Sequence, residues 1–124
     1  MANKFSSISS KRLNECHPDL QTLFKHVLAR MDISIACGYR PKVEQDAAYE
    51  AGFSTLKWPK SRHNSWPSGA VDVIPYPSGY KATEEEWNRL AEIVFDEAEL
   101  LGVQVEWGGH WTRPKDRPHW QLKR

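Results

Sequence analysis

His63, Asp72 and His119 are the residues of this chain whose types and spacing best suit a shared piece of chemistry. A catalytic divalent metal is commonly held by three protein ligands drawn from His, Asp, Glu and Cys, leaving a position for a water whose pKa the ion lowers toward about 7. His63 and Asp72 bracket the run Asn64-Ser65-Trp66-Pro67-Ser68-Gly69, mostly residue types that bend a chain, so the two side chains can be brought back together. Far downstream, Asp116-Arg117-Pro118-His119 offers a second histidine with an acid three residues before it. Asp116 could serve as a base toward a water held there, and Ser61 and Asn64 are placed to hydrogen-bond the ligands from behind. Spacing alone leaves this reading open beside one in which these are ordinary polar side chains.

The elements that must position them follow from the pattern. Ala70-Val71-Asp72-Val73-Ile74 is a short β-branched run that fixes the direction of Asp72, and Pro75 ends it because proline cannot donate to a ladder. Ile33 to Cys37 reads as an earlier strand that turns at Gly38, Val103 to Trp107 as a later one broken by Gly108-Gly109, and His119 to Leu122 as the last. Four helices are expected. Ser7 to Cys16 has Ser9 or Ser10 as N-cap and Ile8 and Leu13 inward; Pro18 to Met31 carries Leu20, Leu23, Phe24, Val27, Leu28 and Met31 at spacings of three and four. Pro41 opens a third helix through Ala51, with Val43, Ala47, Ala48 and Ala51 inward and Gly52 as C-cap. Thr83 and Glu86 form a capping box for the longest helix, which buries Trp87, Leu90, Ala91, Val94, Phe95, Ala98 and Leu101 and stops at Gly102. Helices mixed with short non-adjacent strands predict an α+β fold, one small domain over residues 1–124 with a modest antiparallel sheet flanked by helices.

Composition removes several classes of function. A chain of 124 residues and 14.3 kDa has room for one core and no separate binding module. Seventeen basic against sixteen acidic residues give a formal charge of +1, so no global field draws it to nucleic acid or a membrane. No basic face with interleaved aromatics is present, and no run approaches the roughly 20 apolar residues that span a bilayer. Cys16 and Cys37 form neither a CxxC pair nor a disulfide framework and read as reduced, buried structural thiols. The N-terminal segment lacks an apolar export signal, which places the expected site of synthesis and residence in the cytoplasm.

Ser61-x-His63, Gly69-Ala70-Val71-Asp72, Trp107-Gly108-Gly109-x-Trp111 and Asp116-Arg117-Pro118-His119-Trp120-Gln121-Leu122, in that order, resemble the M15 family of zinc peptidases. His17-Pro18-Asp19-Leu20 and Gly38-Tyr39-Arg40-Pro41, with Gln45 and Tyr49, extend the likeness over most of the chain. Within the family it is most similar to the L-alanyl-D-glutamate peptidases that bacteriophages use as endolysins. The resemblance implies a hedgehog/DD-peptidase-like fold, Zn2+ held by His63, Asp72 and His119, and Asp116 as general base and acid. It further implies Arg40 beside the substrate, where its planar fork could hold a carboxylate or stabilise an oxyanion, with the peptidoglycan stem peptide as substrate. Ser61 and His110 are candidate substrate contacts. The expected enzyme is monomeric, resides in the host cytoplasm, and acts on the cell wall once the membrane has been permeabilised. Eight residues separate His63 from Asp72, two more than is usual in the family, and a Trp66-Pro67 insertion that bulges outward accommodates them.

Other readings stand beside this one. A D-alanyl-D-alanine carboxypeptidase of the same family would use the same ligands, and a non-catalytic cell-wall-binding domain would keep zinc as a structural ion. His17 and His26 read as a cap contact and a solvated side chain, His110 equally as an exposed loop residue. Glu106 could approach the site or form a salt bridge, Arg117 could neutralise Asp116, and Trp107, Trp111 and Trp120 read as core and site wall.

Overall fold

The amphipathic patterns build the layer that lies behind the site. α1 (Ser7–Asn14) and α2 (Pro18–Arg30) precede strand β1 (Ile33–Cys37); α3 (Lys42–Glu50) leads to β2 (Ala70–Pro75); α4 (Glu84–Leu101) leads to β3 (Val105–Trp107) and β4 (His119–Leu122). The computed structural model describes residues 2–112 and 115–124. The four strands form an antiparallel sheet in the order β1-β2-β4-β3. Because side chains alternate along a strand, Ile33, Ile35, Val71, Val73, Val105, Trp107 and Trp120 share one face and join a single core with α2 and α4. Trp120 is fully buried there, stacked on Trp107 and edge-on to Phe24 and Phe95. The opposite face carries Asp72, His119 and Gln121. Among the described residues no helix is long and apolar enough to cross a membrane.

α4 forms as its ends dictate. The Thr83 hydroxyl accepts from the Glu86 amide at 3.1 Å, the Glu86 carboxylate accepts from the Thr83 amide at 3.2 Å, and Gly102 closes the helix at a φ of 71°. Two other helices differ from expectation. In α1 the N-cap is Ser6, not Ser9 or Ser10, and the helix stops at Asn14. Ser9 and Leu13, four apart, share the inward face, so Ile8 is left 59% exposed while the Ser9 hydroxyl accepts from the Ile35 amide at 3.0 Å. In α3, Val43 is 80% exposed and Ala47 and Ala51 lie outside as well. The residue turned inward is Gln45, because α3 covers polar loops and not the apolar core. β3 starts at Val105, since the Val103 amide is bonded to the Ala98 carbonyl at the end of α4.

Candidate metal centre

A short 3₁₀ turn, Arg62–Asn64, presents His63, and the sequence closes that turn with its own capping box. The Ser61 hydroxyl accepts from the His63 amide at 3.2 Å, and the Asn64 side-chain oxygen accepts from the Ser61 amide at 3.0 Å. His63 is 2% exposed, and its Nδ1–H donates to the Gly38 carbonyl at 2.7 Å, which leaves Nε2 directed at Asp72 Oδ1, 3.2 Å away. Asp72 and His119 are direct partners across β2 and β4, so strand periodicity delivers both to the same face. His119 Nδ1 lies 3.3 Å from the same Asp72 oxygen, while its Nε2–H donates to Gln121 Oε1 at 2.9 Å. Each imidazole is thus held by its far nitrogen with the near one facing a shared carboxylate, the orientation that fixes tautomers in metal sites.

The electrostatics match. Burial disfavours a charged His63, but the charge of Asp72 and the hydrogen bond to it prevail and raise its pKa to about 10. Burial likewise works against an ionised Asp72, and His63 with the bonds from both histidines overcomes this and holds the carboxyl well below the usual range. Without a metal the pocket thus favours a proton shared between His63 and Asp72, and a cation entering it competes with that proton. Asp116 behaves in the opposite sense: burial and the charge of Asp72 push its carboxyl upward, against the pull of His119, His63 and Arg40. Its backbone is seated on Gly108, where an added Cβ would lie 2.3 Å from the Asp116 carbonyl oxygen.

The description of a phage L-alanyl-D-glutamate peptidase family fits residues 1–122, nearly the whole chain. The chain belongs to that family. The solved L-Ala D-Glu endopeptidase ChiX of Serratia marcescens is similar in structure, with a TM-score of 0.81 and 31% identity over 98% of this chain and 91% of that one.

In this family member the donors fit a metal ion by their chemistry. Cys37, His63 and Asp72 each offer one donor atom within 4.8 Å of the others, and His119 Nδ1 lies 3.3 Å from Asp72 Oδ1. Cys37 corrects the sequence reading, which took it for a buried structural thiol; it is only half-buried. A bulge between Ile35 and Cys37 puts Cys37, not Ala36, opposite Asp72, and so turns its thiol to the site face. Cys16 is buried as expected, and burial pushes its thiol up to about 12.

Arg40 reaches the same place. Its Nη2 is 3.9 Å from Asp72 Oδ2 and 3.6 Å from Cys37 Sγ, and its Nη1 donates to Gln45 Oε1 at 2.9 Å. The Gln45 amide is fully buried: Oε1 also accepts from Asn64 at 3.2 Å, and Nε2 donates to Ser54 Oγ at 2.9 Å and to the Leu56 carbonyl at 2.6 Å. Gln45, Gln121 and Cys37 are the site residues that reading the sequence for reactive groups missed. Gln45 and Gln121 stand inside the motifs quoted above and Cys37 directly before one of them, which is the signal that could have found them.

The remaining expected contacts are distributed differently. Ser61 is buried with its hydroxyl committed to the cap. His110 stacks on Phe95 at 5.6 Å and meets Trp107 edge-on, beside a cavity of about 360 Å³ that Trp111 also lines. Trp111 itself lies 5.0 Å from the His119 ring, a wall of the site. Glu106 faces Gln121 across β3 and β4, and Arg117 pairs with Glu84 and not with Asp116. His17 caps α2 by accepting from the Asp19 amide, and His26 pairs with Glu97 at the surface. The inserted Trp66 is 67% exposed and meets Tyr39 edge-on, so the longer loop does bulge outward between the two ends that His63 and Asp72 anchor.

Proposed function

We propose that the chain is a zinc endopeptidase that hydrolyses the bond between L-alanine and D-glutamate in the peptidoglycan stem peptide, with His63 Nε2, Asp72 and His119 Nδ1 as the protein ligands. The observation that carries this reading is the pair of histidines converging on one Asp72 oxygen at 3.2 and 3.3 Å in a member of a family described by that cleavage. A zinc ion bound there would supply a Lewis acid for the scissile carbonyl and a lowered pKa for water. Asp116, with its carboxyl tuned upward, takes the proton from the attacking water and returns it to the departing D-glutamate nitrogen. Arg40, aimed by Gln45, stabilises the negative charge that develops on the carbonyl oxygen or holds a neighbouring substrate carboxylate. Trp111 closes one side against bulk water. We propose it as a monomeric enzyme whose biological setting is that of an endolysin made in the host cytoplasm that reaches the wall after membrane permeabilisation.

Digestion of purified peptidoglycan followed by mass analysis tests the reading. New C-terminal L-alanine and N-terminal D-glutamate, lost on chelation and restored by zinc, are expected. Asp116→Asn should retain zinc and fold while losing about 10²- to 10⁴-fold in kcat. Release of D-alanine alone would establish the carboxypeptidase in its place.

A further inference from the structure

We propose that Cys37 is a fourth protein donor to the ion at this site, so that the centre holds a displaceable thiolate in addition to two histidines and an aspartate. This inference deepens the reading above and rests on His63, Asp72 and His119 being ligands.

Two independent features point to it. The bulge in β1 is the device that aims the side chain: in unbroken register Ala36 would oppose Asp72 and Cys37 would face the helices. The resulting position is close to the other donors, since Cys37 offers its sulfur within 4.8 Å of a donor atom on both His63 and Asp72. Zinc–sulfur and zinc–nitrogen bonds of about 2.3 and 2.1 Å keep two donors of one ion within about 4.4 Å, so a modest side-chain rotation suffices. The sulfur is not locked elsewhere. Its hydrogen-bond contacts are with the Gly38 carbonyl at 3.7 Å and with Arg40 Nη2 at 3.6 Å, both long. On joining the ion the thiol would lose its proton to solvent and form the sulfur–metal bond, and the water that otherwise takes the fourth position would leave. Thiolate in place of a fourth oxygen donor favours zinc over harder ions and competes for the position water needs. The site is thereby tightened in its resting form. Cys16 cannot take this part, since its sulfur is buried between the carbonyls of Arg12 and Ala70.

Cobalt reports a thiolate ligand without reference to activity. The full chain, stripped of metal and loaded with one equivalent of Co2+, should show the visible bands of a bound ion together with a near-ultraviolet sulfur-to-cobalt charge-transfer band. Cys37→Ser should keep the visible bands and lose the charge-transfer band, and Cys16→Ala should keep both. Bound metal should also protect Cys37 from iodoacetamide in the wild-type protein. Visible bands with no charge-transfer band, or a charge-transfer band that survives in Cys37→Ser, would overturn the proposal and leave the three-ligand reading standing. Absence of any cobalt binding by the folded wild-type chain would overturn both.

Discussion

Replacing Gln45 by methionine preserves the shape of a buried side chain and deletes the amide that ties Arg40 to two loops. Four hydrogen bonds disappear: those from Arg40 and Asn64 to Oε1, and those from Nε2 to Ser54 and the Leu56 carbonyl. Some partners retain others, since Asn64 still donates to the Arg40 carbonyl at 2.9 Å and Ser54 still bonds Leu56. The Arg40 Nη1 loses its bond, and the Leu56 carbonyl keeps only the 3.3 Å bond from the Ser54 hydroxyl. At about 1 kcal/mol for a neutral bond and about 1.5–3 for one to a charged group, the net cost in stability is about 2–4 kcal/mol, within what a domain of about 5–15 kcal/mol tolerates. The functional cost is separate. An unguided guanidinium near the reacting carbonyl should lower kcat/KM about 100-fold per folded molecule, the penalty of a displacement of about 1 Å, with zinc content unchanged. Urea melts give the first quantity and hydrolysis of a defined muropeptide the second. Gln45→Glu keeps an acceptor for Arg40 while opposing the Leu56 carbonyl, so it should restore much of the activity without restoring the stability. A Gln45→Met protein that is destabilised yet cleaves at the wild-type rate per folded molecule would refute a positioning role for Gln45.

The other expectations concern the ligands and the backbone behind them. Gln121→Leu removes the acceptor that orients His119 and should weaken zinc binding about 10- to 100-fold, read by competition with a chromophoric chelator. In the metal-free protein, His63 contributes stability that is complete below its ordinary pKa of 6.5 and is lost as pH rises through about 10. Asp72 contributes stability present above 3.8 and lost as pH falls below it. The melting temperature of the chelated protein should therefore decline from pH 6.5 toward pH 10, and a flat profile there would show that the pair is not formed. Gly108→Ala places a Cβ against the Asp116 carbonyl, which should cost about 1–3 kcal/mol and lower kcat through a displaced Asp116, measured by melts and turnover together.

What the sequence by itself determined was local and chemical. The strand holding Asp72, the strand holding His119 and the capped helix from Glu84 were legible because alternation, a capping box and a terminal glycine act over a few residues. The reactive groups His63, Asp72, Asp116, His119 and Arg40 were legible as types in order. Tertiary structure alone decided which of them meet and what stands around them. Pairing of β2 with β4 made Asp72 and His119 neighbours across 47 residues of chain. The bulge that turns Cys37 to the site depends on β1 pairing with β2, and no feature of Ile33 to Cys37 taken alone specifies it. The inward face of α3 escaped a reading by hydrophobicity because that helix covers a polar site, where a saturated amide such as Gln45 is the stable occupant and Val43 is left to solvent. Apolar patterning reports burial against a core. Burial against a functional centre follows hydrogen-bond complementarity, which is set only when distant segments come together.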